Sequence, residues 1–470
     1  MNDGQLFARL SEKCTWWRDP AGWERDDPDL KAVRAASIVY EPAPLADIQP
    51  NGLYLMLGPR RVGKSVELKR AIAATVSRVA NPRSIIYFSC DGLRGDDLRR
   101  MLHLGRSRFP AITGPRRWFI DEITSIDDWH AIIKDERDTT AFREDCVVLT
   151  GSSSAGIQDG VANLAGRHGE PAGAGERLLL PMSFRSFCAV TGADGHVPSI
   201  QPLRPRDVFS DAPAILEDLQ VFIPQLVDAW ENYLHVGGFP KAVSSFIDTG
   251  DVAPAFVRDL WNVVRGEAFR SMRTTPPEAL AFIERLARSL SGPINLSDLA
   301  RDVGFTDNEQ ADARITELVT AFLGFRCYKD NDGRPNMKAQ RKFYFTDPLL
   351  ARLPRLVDSS AAEPATSDVS EQQVALALHR AIERELPRAF VEMAEVRYWV
   401  NPNSGTEIDF VGARLGLGFE SKYVDTGWRA ASRAIAARGV GGVVATRRAL
   451  ARDPDMLAIP SALLAWLLGS

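Results

Sequence analysis

Three groups of residues have the types and spacing that chemistry requires. The first is Gly58-Pro59-Arg60-Arg61-Val62-Gly63-Lys64-Ser65, which follows an apolar run, Leu53–Leu57, and precedes a helix-compatible run, Val66–Arg78. GxxxxGK[ST] between a strand and a helix is a phosphate cradle. Glycines let backbone N–H groups turn inward around phosphate oxygens, and the following helix adds its positive end. Lys64 is placed to neutralise β/γ-phosphate charge, and the Ser65 hydroxyl to fill one Mg²⁺ position. Residues Gly58 to Val66 are therefore expected to bind ATP or ADP. The bland rival is a Gly-rich turn without a ligand.

The second group is Arg117-Trp118-Phe119-Ile120-Asp121-Glu122, an apolar strand ending in paired acids. Next to a phosphate cradle, Asp121 is expected to hold Mg²⁺ through water and Glu122 to polarise the attacking water, as ATP hydrolysis requires. The next apolar strand, Cys146–Thr150, ends in Gly151-Ser152-Ser153-Ser154. Thr150 and Ser152 both qualify as a γ-phosphate sensor, and the sequence does not choose between them.

The third group lies near the C-terminus. Glu407-Ile408-Asp409-Phe410-Val411, a tight Gly412–Gly416 turn, and Leu417-Gly418-Phe419-Glu420-Ser421-Lys422-Tyr423 read as a hairpin. Residues i and i+2 of a strand share a face, so Glu420 and Lys422 point together, Ser421 points away, and Asp409 on the neighbouring strand can meet them. Two carboxylates and a lysine are the equipment of metal-dependent phosphodiester hydrolysis. The rival is a surface hairpin of alternating charge.

With these motifs the chain resembles the AAA-type ATPases of bacteria and archaea, close to the STAND group of signalling NTPases. The resemblance rests on GPRRVGKS, FIDE and LTGSSS, on Leu164-Ala165-Gly166-Arg167 with Leu180–Phe184, and on Tyr233–Pro240 containing Gly237-Gly238-Phe239-Pro240. It implies a γ-phosphate or intersubunit role for Arg167, and a nucleotide-lid turn at Gly238 and Pro240. A solvated arginine and an ordinary helix–helix turn are the rivals. It further implies a C-terminal domain of restriction-endonuclease fold. There the D-x(10)-E-x-K spacing of Asp409, Glu420 and Lys422 resembles the PD-(D/E)XK pattern, and Glu371 resembles that fold's additional N-terminal acid. Metal-binding expectations are thus Ser65 and Asp121 in one site, and Glu371, Asp409 and Glu420 in the other. Ser421 departs from the pattern, which usually has an apolar residue there.

Elements must position these groups. Short β-branched runs alternate with helical patterns, the signature of a parallel sheet with helices on both faces. Pro277–Leu290, Asn295–Gly304 and Asp307–Phe322 read as helices, the second capped by Asn295 or Ser297. Phe325–Tyr328 and Lys342–Phe345 read as strands around an Asn331-Asp332-Gly333 turn, which suits a winged helix. Arg326, Lys329, Arg334, Lys338, Arg341 and Lys342 would make its wing basic, while Asp307, Glu309, Asp312 and Glu317 make its second helix acidic. Asp358–Ser370 has the make-up of a linker.

The expected organisation is α/β and multidomain. An N-terminal segment (1–50) packs on a P-loop NTPase core (51–190), followed by an insertion and helical lid (191–275). The winged helix (276–357), the linker (358–370) and the nuclease-like α/β domain (371–470) complete it. Trp16, Trp17 and Trp23 are expected to pack on the core, with framing of the adenine as the alternative. The chain of 470 residues has a formal charge of −4, which excludes a protein basic all over but not a local basic patch. Its cysteines, Cys14, Cys90, Cys146, Cys188 and Cys327, are scattered without a CxxC pair, and no stretch approaches the ~18 apolar residues of a membrane span. A cytoplasmic setting without membrane contact is expected. The functional expectation is an ATP-hydrolysing protein acting on or near DNA as an ATP-regulated nuclease. The alternative is a nucleotide-controlled signalling switch that binds a partner, or further copies of itself, without cleaving.

Overall fold

The computed structural model describes residues 1–154, 169, 175–269, 274–386 and 394–469. It divides into two compact units, Met1–Leu179 and Leu180–Ser470. Among the described residues no helix is long and apolar enough to cross a membrane.

The first unit is built on five parallel strands, β1 (Leu53–Leu57), β2 (Ile85–Ser89), β3 (Arg117–Asp121), β4 (Cys146–Gly151) and β5 (Glu176–Leu178), in the order β2-β3-β4-β1-β5. The near-continuous apolar runs of β1–β4 follow from burial on both faces by the crossover helices Lys64–Val76, Gly95–Ser107 and Trp129–Thr139. β4 enters between β1 and β3, so three strand tips stand side by side: that of β1, leading into Gly58–Ser65; that of β4, carrying Thr150; and that of β3, ending at Asp121. The N-terminal helix Asp3–Lys13 starts in a capping box on Asn2 and Gln5. Beyond it, the indoles of Trp16 and Trp17 both donate to the Ile85 carbonyl. The tryptophans therefore pack on the core, at the start of β2.

The second unit holds a nine-stranded mixed sheet: β6 (Gly324–Asn331), β7 (Arg334–Asn336), β8 (Lys342–Phe345), β9 (Arg397–Val400), β10 (Glu407–Val411), β11 (Gly418–Ser421), β12 (Gly442–Thr446), β13 (Ala451–Asp453) and β14 (Met456–Pro460). The order is β13-β14-β12-β11-β10-β9-β6-β7, with β8 paired to β6. The helices Pro276–Ala287, Leu296–Val303 and Asn308–Thr320 match the sequence expectation, and Asn295 is the cap of the second, accepting from the Ser297 and Asp298 amides.

Two readings change. The supposed linker yields to helix at Thr366, so Ser370 and Glu371 are buried in the helix Thr366–Glu385. Half of the basic wing is spent internally: Arg326 and Arg341 both bond Asp312 on the helix Asn308–Thr320, and the Lys342 side chain is fully buried against Glu371, Glu407 and Asp409, while Arg334 and Lys338 stay exposed.

β6 and β9 pair in parallel, Tyr328 opposite Arg397, so strands on both sides of residues 358–370 share one sheet. A buried ion cluster fixes this junction. Arg397 meets Asp330 at 2.8 Å, and Arg438 reaches the same carboxylate at 2.9 Å. Removing one partner leaves a buried charge uncompensated. Asp330→Ala should therefore destabilise the second unit by about 3–5 kcal/mol. Urea unfolding followed by hydrogen exchange in β6 and β9 checks this; unaltered protection there would show that the cluster does not hold the junction.

Candidate functional site

The phosphate-loop site is assembled from the three strand tips. Gly58 has φ +153°, and a Cβ there would meet the Leu179 carbonyl oxygen at 1.9 Å, so only glycine fits. Gly63 (φ +103°) opens directly into the helix Lys64–Val76. Gly58, Pro59 and Val62 are buried, while Arg60 and Arg61 are exposed. The Lys64 ammonium donates to the carbonyls of Gly58 and Pro59, each at 2.9 Å, and stands 3.8 Å from Glu122.

Asp121 is the centre of the site. Its Oδ2 accepts from Ser65 Oγ at 2.7 Å and from the Tyr87 hydroxyl at 3.4 Å, while Oδ1 accepts from Thr150 Oγ1. Burial, then the charge of Asp121, pushes the Tyr87 phenol well up, so it remains a donor. Thr150 Oγ1 also accepts the Glu122 amide at 3.0 Å, holding a residue whose backbone is left-handed (φ +52°). Thr150 thus bonds both acids; as a γ-phosphate sensor it was not separated from Ser152 by the sequence. Ser152 is buried beyond the end of β4. Arg167 lies outside the described residues.

Gly238 and Pro240 lie in the second unit. The Gly238 amide donates to Asp347 Oδ2 at 2.7 Å, and its carbonyl accepts from the Met182 amide at 2.7 Å. A Cβ on Gly237 (φ +77°) would meet Asp347 Oδ1 at 2.1 Å. Pro240 opens the helix Pro240–Thr249. Two of the motifs that carry the resemblance, around Met182 and around Gly238, are therefore packing partners. Asp347 pins them and also caps the helix Pro348–Val357. Burial pushes its carboxyl up to about 7. Thr346-Asp347-Pro348 has the form of a helix start, which was the available signal.

The C-terminal acids also converge. β10 and β11 form the expected antiparallel hairpin with Phe410 opposite Phe419, which places Asp409 across from Glu420. The Asp409 amide donates to Glu420 Oε2 at 3.1 Å, and the Ser421 amide to Asp409 Oδ2 at 2.8 Å. Lys422 lies 3.0 Å from Glu420 and 3.8 Å from Asp409. Ser421 Oγ is buried without a hydrogen-bond partner, in keeping with a position that favours an apolar side chain. The acids and Lys422 line a cavity of about 680 Å³. Burial, then the neighbouring Asp409, pushes Glu420 well above the usual carboxylate range.

Glu371 reaches this cluster from the helix Thr366–Glu385, but it is engaged by residues the sequence reading did not assign. Tyr344 donates to it at 2.6 Å, and Lys342 lies 3.3 Å away. The same ammonium meets Glu407 at 2.5 Å and Asp409 at 3.4 Å. Among the described residues, no three His, Cys, Asp or Glu side chains stand close enough to share a metal ion.

Comparison with known proteins gives two family matches. Residues 50–188 match the family described as an AAA domain, and residues 227–360 match a domain of unknown function (DUF8612). No curated protein matches the chain. Similar solved structures include the Walker-type ATPase PABY2304 of Pyrococcus abyssi, 16% identical, covering 71% of this chain and 95% of that one with a TM-score of 0.38. The Aeropyrum pernix ORC1 protein in complex with DNA is 14% identical, covering 71% and 92%, with a TM-score of 0.29. The ORC2 protein of the same organism is 12% identical, covering 71% and 93%, at 0.30. Residues 50–188, which hold the phosphate-loop motif and the paired acids at the end of β3, are thus similar to an AAA domain, and that match supports nucleotide binding by the first unit.

Thr150→Val removes the link between the two acids and leaves the phosphate loop intact. Hydrolysis should fall about 10–100-fold while nucleotide affinity stays within a few-fold, as for other outer-shell partners. Steady-state turnover alongside calorimetry separates the two effects; unchanged turnover would remove Thr150 from the machinery.

Proposed function

We propose that the first unit hydrolyses ATP with Mg²⁺. The observation that supports this best is the 2.7 Å bond from Ser65 Oγ to Asp121. A hydroxyl and a carboxylate so close are a hard-oxygen donor set suited to Mg²⁺, which keeps several waters and takes its remaining ligands from phosphate. Ser65 and Asp121 would hold the ion, which when bound supplies charge neutralisation at the β- and γ-phosphates. Gly58–Val66 cradle the phosphates through backbone N–H groups. Lys64 exchanges its two loop carbonyls for phosphate oxygens. Glu122, fixed through its amide by Thr150, orients the attacking water and takes its proton. Ser152 remains the second candidate sensor, and Arg167 a candidate for the developing γ-phosphate charge.

In the second unit, the helices Leu296–Val303 and Asn308–Thr320 followed by β6–β8 support a winged-helix reading, and the Gly238–Pro240 turn a lid reading. We propose that Asp409, Glu420 and Lys422 form a PD-(D/E)XK-like site acting on nucleic-acid phosphodiesters, in a chain that works on or near DNA. Asp409 and Glu420 would hold a divalent ion and Lys422 would orient the water. The signalling reading, in which this unit binds a partner without cleaving, is favoured by one observation: the buried Lys342 neutralises much of the acid cluster.

For the ATPase, Lys64→Ala should abolish nucleotide uptake in calorimetry. Glu122→Gln should preserve uptake and slow hydrolysis roughly 100–10,000-fold, the usual contribution of a positioned base. Normal hydrolysis by Glu122→Gln would overturn the assignment of the water-polarising group. For the second unit, plasmid is incubated with Mg²⁺, with and without ATP. Nicking by the wild type that is lost in Lys422→Ala supports the nuclease; identical behaviour of the two proteins favours partner binding.

A further inference from the structure

Lys342 is the residue of the second unit that the proposed chemistry leaves unexplained. It starts β8, in the region before the nuclease-like strands, and its side chain is fully buried. An ammonium has three donors. Here Glu371, Glu407 and Asp409 surround it at 3.3, 2.5 and 3.4 Å, and the Tyr398 ring lies 5.6 Å from the nitrogen. Glu371 has a further donor in Tyr344. Asp409 is divided between two cations, Oδ1 towards Lys342 and Oδ2 towards Lys422 and the Ser421 amide.

Glu371, from a helix, and Glu407 and Asp409, from a strand, converge on one point, and that point is taken by a covalently attached, fully buried cation; set around it, the carboxylates stand too far apart to share a metal ion. Mg²⁺ gives up its waters reluctantly and needs near-octahedral oxygen geometry. It cannot share the space with a dry lysine stem. Glu371, Glu407, Asp409, Glu420 and Lys422 all line the cavity, but beside Glu420 and Asp409 Oδ2 the cation is the part-exposed Lys422 and not the buried Lys342.

We infer that Lys342 is a built-in cation standing where a second metal ion would otherwise bind. The cluster then accepts at most one divalent ion, on Asp409 and Glu420, and Glu371 is a ligand of lysine rather than of metal. β8 reaches β9 and β10 only through β6 in the shared sheet. The charge balance of the acid cluster is therefore set by the segment before residue 358. This inference rests on the proposed metal reading of Asp409 and Glu420, but its test does not use cleavage.

The test counts Mn²⁺ bound to the full, nucleotide-free chain by electron paramagnetic resonance, with thermal unfolding at matched Mn²⁺. Lys342→Met should bind one more ion per chain than wild type, and Mn²⁺ should raise its Tm more than that of wild type. Equal counts and equal shifts would overturn the inference. Should Lys342→Met not fold, Glu371→Gln in the otherwise wild-type chain decides: its Mn²⁺ count should match wild type, and loss of one ion would overturn the inference. A plasmid left uncut by the wild type bears on the nuclease reading alone, since ion counts are read without substrate.

Discussion

A carboxylate taken out of water must find donors or a cation, and this requirement shapes each site in the molecule. Asp121 finds Ser65, Tyr87 and Thr150. Asp347 finds two backbone amides, and Asp330 two arginines. Leaving such a group unpaired costs several kcal/mol, so each solution locks the elements that contribute to it. At Asp121 two of the donors, Ser65 and Thr150, come from the start of the helix after the phosphate-loop motif and from the tip of β4, so in the proposed ATPase the same bonds would meet the stability requirement and the catalytic geometry.

Strand order explains why those elements meet. β4 lies between β1 and β3, so a threonine at its tip can touch the acids of β3 and face the loop after β1. The sequence showed each tip separately, because each is a local pattern: an apolar run followed by glycine, acid or hydroxyl. It also showed the hairpin that carries Asp409 and Glu420, since alternation and a Gly-bounded turn fix its register. Asn295 was legible as a cap for the same reason, being followed at once by a helical run.

What was not legible depended on long-range pairing. Lys342 read as one of several cations on a wing, because a lysine at the head of an apolar strand usually points to water. Its burial is decided by Glu371, Glu407 and Asp409, which come from other elements. The parallel pairing of β6 with β9 has no local signature either, and Asp358–Ser370 looked like a separator by composition alone. Small polar residues at 366–368 begin a helix whose next turns are covered by the sheet, so tertiary burial overrides their loop-like character. Arg326 and Arg341 follow the same rule: an acidic partner at Asp312 turned an apparent basic face inward.

A lysine in place of an ion has consequences that composition cannot express. A bound Mg²⁺ comes and goes with concentration and with substrate phosphate, whereas an ammonium tethered to β8 is always present. Burial alone would disfavour its charge, but Glu371, Asp409 and Glu407 hold it well above the ordinary lysine range, so it stays cationic through the physiological pH span. Lys342 therefore offsets part of the negative charge of the acid cluster at all times. Its geometry answers to the position of β8, not to an ion. Under the proposed nuclease reading, a single divalent ion held by Asp409 and Glu420 would supply water activation beside Lys422 but not the clamp on both attacking and leaving oxygens that a pair of ions supplies. Phosphodiester chemistry at such a site would have to draw its second positive charge from the protein or from its partner. That requirement separates a cluster kept for cutting from one kept for holding the sheet together.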